Sequence, residues 1–142
     1  MKIYLGSDHG GYGLKQTLKE YLENNDYSVE DLGCDTEDSC DYPQFGRAVA
    51  EAVTADAGSL GIVLCGSGLG ISMAANRVPG ARAALANSME LAKLGRQHNG
   101  ANILALGART QFMDDPLDIV KTFLQTEVDL SERHERRRAQ LG

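Results

Sequence analysis

Cysteine is scarce in this chain: three in 142 residues, at Cys34, Cys40 and Cys65. That is too few, and too uneven, for a disulfide framework or a Cys-x-x-Cys pair. No apolar stretch approaches the ~18–20 residues that cross a bilayer. Strand-like Lys2-Ile3-Tyr4-Leu5 at the very start predicts no signal peptide. Positive charge is also short, 14 Lys and Arg against 20 Asp and Glu for a net −6, which argues against a nucleic-acid surface. No pairing among His9, His98, His134 and the cysteines has the local spacing of a zinc site, so no metal is expected. Linkers, repeats and low-complexity segments are missing. What remains is an ordinary composition, 42% hydrophobic and 24% charged, expected to fold as one domain over residues 1–142. A reducing, cytoplasmic location follows from the cysteine usage.

Short β-like runs alternate with amphipathic helical stretches. Strands are predicted at Lys2–Gly6, Ser28–Leu32, Leu60–Cys65, Ala81–Ala86 and Asn102–Gly107. The third and fifth are almost wholly apolar, as in a parallel sheet covered on both faces. Helices are predicted near Gly13–Asn25, Pro43–Asp56, Gly70–Arg77, Ser88–His98 and Pro116–Thr126. Leu14, Leu18, Tyr21 and Leu22 form one apolar stripe on the first of these. Pro43 and Pro116 suit first helical turns, with Asp114 or Asp115 as the cap of the last. A final helix near Ser131–Gln140 has few apolar positions, so it should stay off the core and reach a surface or a partner subunit. The pattern predicts a three-layer α/β/α Rossmann-like domain with a five-stranded parallel sheet. With the common strand order 2-1-3-4-5, ligands bind where strands one and three diverge.

The turns after those two strands carry Ser7-Asp8-His9-Gly10-Gly11 and Cys65-Gly66-Ser67-Gly68-Leu69-Gly70. The second runs into a predicted helix. Its N–H groups and the helix's positive end suit an anion, and the same field favours the thiolate of a nearby cysteine. The glycine spacing misses the dinucleotide fingerprint, because Ile71 stands at its last glycine. No Gly-Lys-Ser/Thr follows, so a P-loop is excluded. Taken singly, Cys65 usually reads as a buried structural thiol, Asp8-His9 as well as a cap followed by a surface histidine, and His98 most often as a helix-end dipole partner. Arg133-x-x-x-Arg137 puts two guanidiniums on one helix face, either as a solvated tail or as a phosphate fork, and Arg109 follows the fifth strand.

Six segments in order, Asp8-His9-Gly10-Gly11-x-x-Leu14-Lys15, Asp41-Tyr42-Pro43, Cys65–Gly70, Ala74-Ala75-Asn76-Arg77, Arg96-Gln97-His98-Asn99 and Arg133-His134-x-x-Arg137, closely resemble the ribose-5-phosphate isomerase B family. The resemblance runs over nearly the whole chain. It implies a metal-independent, cofactor-free aldose–ketose isomerase that interconverts ribose 5-phosphate and ribulose 5-phosphate, as a homodimer or homotetramer. By position, Cys65 matches the proton-abstracting base and His98 the residue that opens the sugar ring. Asp8, His9 and Tyr42 match substrate contacts. Gly66, Ser67, Gly68, Leu69 and Gly70 match the anion hole, Ser67 taking part in catalysis. Asn99 accompanies His98, while Arg109, Arg133 and Arg137, with His134 beside them, match substrate and phosphate binding. One branch of the family has a glutamate where this chain has Ile71 and lacks the cysteine, so the likeness is to the cysteine branch. Ser67 stands where threonine is frequent, which keeps the hydroxyl.

Geometry adds an expectation of its own. A helix ending at His98 runs antiparallel to the strands, so about ten residues at 1.5 Å each carry His98 some ~15 Å from Cys65. A second subunit is therefore expected to supply it. Three other readings remain open: an allose- or galactose-6-phosphate isomerase, a phosphosugar-binding module without catalysis, and a thiol redox switch.

Overall fold

The computed structural model describes residues 1–142. In chain order the elements are β1 (Lys2–Ser7), a 3-10 turn (His9–Gly11), α1 (Tyr12–Asn24), β2 (Ser28–Asp31), α2 (Tyr42–Ala55), β3 (Leu60–Cys65), α3 (Leu69–Ala75), β4 (Ala83–Leu85), α4 (Met89–Asn99), β5 (Ile103–Gly107), α5 (Pro116–Gln125) and α6 (Glu132–Leu141). All five strands pair in parallel. Strand periodicity sorts their side chains into two cores. Ile3, Leu5, Ile62, Leu64, Leu104 and Leu106 face Leu18 and Leu22 of α1, Ala92 of α4 and Phe123 of α5. Tyr4, Val63, Cys65, Ile103 and Ala105 face Val49 and Val53 of α2 and Ile71 of α3. The sheet is thus covered on both sides, and Cys65 belongs to the α2/α3 side.

The strand order is β2-β1-β3-β5-β4, so the expected 2-1-3-4-5 is wrong at its far edge. The cause is burial. All five residues of β5 are buried, whereas the three of β4 are partly or fully exposed, and the continuous apolar strand takes the inner position. β4 is also shorter than expected. Asn102 Oδ1 accepts from Arg82 N–H at 2.8 Å, and Asn76 brackets Ala83, accepting from its N–H and donating to its carbonyl. These amide side chains replace the ladder where the predicted strand would have begun. The order keeps β1 beside β3 and also brings the end of β5 beside the end of β3, Gly107 opposite Cys65.

Ser88 caps α4 and Asp115 caps α5, while Asp114 Oδ2 accepts from Met89 N–H at 2.7 Å and so supports α4 instead. None of the residues of α6 joins either core, as its sparse apolar positions predict. It nevertheless lies on its own chain, packed against α4. No helix is long and apolar enough to cross a membrane.

Candidate active site

β3 delivers Cys65 to the C-terminal edge of the sheet, and the chain then turns sharply into α3. Gly68 makes that turn at φ +77°, and an added Cβ would lie 2.5 Å from Leu85 Cδ1 and 2.9 Å from the Leu106 carbonyl carbon. Only glycine suits both the conformation and the space. The turn aims Gly68 N–H at Cys65 Sγ, 3.1 Å away, so the sulfur receives a donor, the contact that a thiolate accepts. Leu69 N–H donates to Ser67 Oγ at 3.2 Å, leaving the Ser67 hydroxyl proton free for another acceptor. Cys65 is buried, at 4% exposure.

Neighbouring segments close around this turn. Gly10 packs on Gly66, since a Cβ on Gly10 would meet Gly66 N at 3.2 Å. Asp8 Oδ1 caps the 3-10 turn by accepting from Gly11 N–H at 3.1 Å. His9 Nδ1 accepts from Cys40 N–H at 3.2 Å. A backbone donor on Nδ1 fixes the tautomer of the neutral ring, with its proton on Nε2. Tyr42 lies against Gly70, where a Cβ would come within 2.6 Å of its ring. Arg109 is held over Gly66, its N–H donating to Gly66 O at 2.9 Å. Asp8, His9, Tyr42, the Cys65–Gly70 turn and Arg109 therefore form one continuous surface.

The remaining expected residues lie elsewhere. α4 ends against the start of β5, and Gly61 N–H, at the start of β3, donates to Asn102 O. His98 and Asn99 are thus at the N-terminal edge of the sheet, opposite Cys65. α6 brings His134 beneath them: the His98 and His134 rings stack with centroids 4.5 Å apart and planes 11° from parallel. Arg138 Nη1 donates to the His98 carbonyl at 3.1 Å. Asp129 N–H donates to Gln97 O, and Asp129 Oδ2 lies 3.6 Å from His134 Nε2. Burial first, then the His98 ring, pushes the His134 imidazole below its ordinary value. His134, expected among the substrate contacts, is buried at 6% exposure, whereas Arg133 and Arg137 are exposed. None of the cavities of the chain is lined by Cys65 or His98. No cluster of three metal-ligating side chains occurs.

Sequence reasoning missed Lys15 and the Cys40 backbone. Lys15 stands three residues before Leu18 and seven before Leu22, on the buried face of α1, and that offset was a readable signal for a buried charge with a partner. Cys40 acts through its main chain, which leaves no mark in the residue type.

Three comparisons bear on what this surface is. The family model described as Ribose/Galactose Isomerase matches residues 3–141. Ribose-5-phosphate isomerase B of Mycobacterium tuberculosis is 46% identical over 140 residues, covering 96% of this chain and 85% of its own. Among solved structures, ribose-5-phosphate isomerase B of Clostridium thermocellum is 50% identical with a TM-score of 0.94, covering 100% of this chain and 95% of its own. The Mycoplasma genitalium enzyme of the same name, solved with bound ribulose-5-phosphate, is 39% identical with a TM-score of 0.92, covering 99% of this chain and 93% of its own.

Proposed function

The chain belongs to the ribose/galactose isomerase family, and from that premise we propose that it interconverts ribose 5-phosphate and ribulose 5-phosphate. The observation that carries the chemistry is the Gly68 N–H on Cys65 Sγ within the glycine turn. As a thiolate, Cys65 takes the proton from carbon 2 of the opened aldose. The electron pair moves into the carbon 1–carbon 2 bond of an enediolate, the proton of the carbon 2 hydroxyl passes to the carbon 1 oxygen, and the thiol, in partial exchange with solvent, returns a proton to carbon 1, leaving the carbonyl at carbon 2. The turn N–H groups and the free Ser67 hydroxyl hold the developing oxyanion; one such donor is worth about 100-fold or more in rate. His9, with its proton on Nε2, donates to a substrate oxygen, and Asp8 and Tyr42 flank the same pocket.

His98 opens the sugar ring, and Asn99, Arg133 and Arg137 accompany it. These residues reach a Cys65 only across an interface, so the working unit is a homodimer or a homotetramer with sites shared between chains. Arg109 at the Cys65 edge and the two exposed arginines of α6 then grip the phosphate, whose binding energy orients the open chain. His134 holds the His98 ring from below instead of touching sugar. Three unpaired thiols suit a reducing compartment, and the cytoplasm is the location proposed.

The test is proton NMR of the protein with ribose 5-phosphate, allose 6-phosphate and galactose 6-phosphate in turn. Ribose 5-phosphate is expected to turn over fastest, with exchange of its carbon 2 proton, and Cys65→Ala is expected to lose about 100-fold or more. Full turnover by Cys65→Ala would remove the sulfur from the role of base. Preference for a six-carbon phosphate would move the substrate assignment within the family.

A further inference from the structure

The largest cavity of the chain, about 480 Å³, opens at the edge of the sheet away from Cys65, where α2 ends and β3 begins. Arg82, Arg96 and Arg138 line it, and no acidic residue does. None of the three forms an ion pair within 4.0 Å. Each is instead tethered to a carbonyl near the C-terminus of α4, Arg82 Nε to Gly100 O at 3.1 Å, Arg96 Nη1 to Ala101 O at 2.9 Å and Arg138 Nη1 to His98 O at 3.1 Å, and Arg82 Nη1 also donates to Gly142 O at 3.3 Å. Arg138 and Arg82 converge over Gly100, where a Cβ would meet Arg138 Cδ at 2.8 Å and Arg82 Nη2 at 3.6 Å.

Capping a helix end is the simpler account of three such arginines, and charge decides against it as the whole account. A helix C-terminus presents roughly half a negative charge, far less than three guanidiniums carry. Burial holds the Arg96 guanidinium below its ordinary value, with Glu127 acting the other way and the like charge of Arg82 adding to the fall. Arg96 Nε is shielded from solvent and has no hydrogen-bond partner. In a chain of net charge −6, three guanidiniums are gathered into one cleft whose lining holds no carboxylate side chain. Each guanidinium has five N–H donors, most still free, in the fork geometry that matches phosphate.

We propose that this cleft is a second anion site that binds a phosphate-bearing small molecule through Arg82, Arg96 and Arg138. Its volume falls in the range of small-molecule pockets and exceeds what a bare phosphate ion fills. Thr54 and Ser59 also line it; their hydroxyl protons go to Ala50 O and Asp56 O, so their oxygens are left to accept from the rest of such a molecule. The inference stands apart from the isomerase reading, because neither Cys65 nor Arg133 nor Arg137 lines the cleft.

The experiment is an NMR titration of the ¹⁵N-labelled full chain with inorganic pyrophosphate in one arm and adenosine monophosphate in the other. The amides of Gly100, Ala101 and Asn102 are expected to shift saturably with Kd below about 1 mM. Tighter binding of the monophosphate would mark a nucleotide-like ligand, and tighter binding of pyrophosphate a bare polyphosphate. Arg138→Gln and Arg96→Gln, checked for unchanged melting, are expected to weaken this binding about tenfold or more, while Arg133→Gln leaves it as it is. Shifts confined to Gly66–Gly70 and Arg109, no saturation at the α4 end, or binding unaltered by Arg138→Gln would each overturn the proposal.

Discussion

Lys15 is fully buried, and three oxygens hold its ammonium: both carboxylate oxygens of Asp31 at 2.6 and 2.7 Å and the Cys34 carbonyl at 2.7 Å. The segment it pins pairs with β1 through Ser7 N–H to Gly33 O and Cys34 N–H to Ser7 O, each 2.7 Å, directly before Asp8. Removing the cation leaves the Asp31 carboxylate with only Gly33 N–H at 3.0 Å and Lys19 Nζ at 3.9 Å, so Lys15→Met is expected to cost about 3 kcal/mol, a large share of a domain's stability. Urea unfolding checks it: the midpoint should fall sharply in Lys15→Met and recover in Lys15→Met/Asp31→Leu. A single variant as stable as the parent would refute the assignment. His134 makes a second residue-level prediction. Its folded-state value lies below the ordinary one, with His98, Asp129, Arg133 and Arg137 as the charges that act on it. The folded chain therefore binds fewer protons there than the unfolded chain. The contribution of the neutral ring is present above the unfolded value, about 6.5, and is lost as pH falls from there toward the folded value. Melting temperatures over that range should fall more steeply with acid in the parent than in His134→Gln. Equal slopes would show that the stack carries no such linkage.

At the scale of elements, the turn between β3 and α3 depends on Gly68. Gly68→Ala meets a left-handed conformation, worth roughly 1–2 kcal/mol against a side chain, together with contacts of 2.9 and 3.0 Å to the backbone of Leu106 and Gly107. It is expected to lower the melting temperature and to remove most turnover, because the N–H that meets Cys65 moves with it. A variant with parental melting and turnover would show that the turn is less constrained than its contacts imply. Much of this level was legible. The stripe Leu14, Leu18, Tyr21 and Leu22 does lie on the sheet, with Leu18 and Leu22 buried and Leu14 and Tyr21 packed at the margin. The two glycine-bearing turns do meet, because β1 and β3 are neighbours. The exchange of β4 and β5 was legible in part, since Asn102–Gly107 was already the more apolar run. Strand order follows from burial competition among strands, and a default topology does not weigh it. The consequence is functional: with β5 beside β3, Ala108 N–H donates to Cys65 O and Arg109 N–H to Gly66 O, each 2.9 Å, so Arg109 joins the Cys65 surface directly. What stayed hidden, such as the Cys40 N–H on His9, is backbone chemistry that any residue type could supply.

On the proposed reading, the whole molecule presents two half-sites on opposite edges of one sheet. The Cys65 edge has a sulfur with a donor on it and an arginine. The His98 edge has an imidazole fixed by a stacked ring, by Arg138 on its carbonyl and by the Asp129 turn. α4 has eleven residues, about 15 Å at the helical rise, so motion of side chains within one chain does not join the halves. Two copies placed edge against edge do, and each pair then contains two complete sites. It follows that Cys65→Ala and His98→Ala, each inactive as a pure protein, should complement when mixed. A hybrid dimer has one site with both defects and one site with none. Random exchange makes about half of the dimers hybrid, with one working site of two, so recovery should approach about a quarter of the parental rate. Subunit exchange is verified separately by native mass spectrometry of the mixture. Exchange without recovered turnover would mean that each chain completes its own site, and α4 would then have to unwind or the chain to refold around Cys65, which its two packed cores oppose.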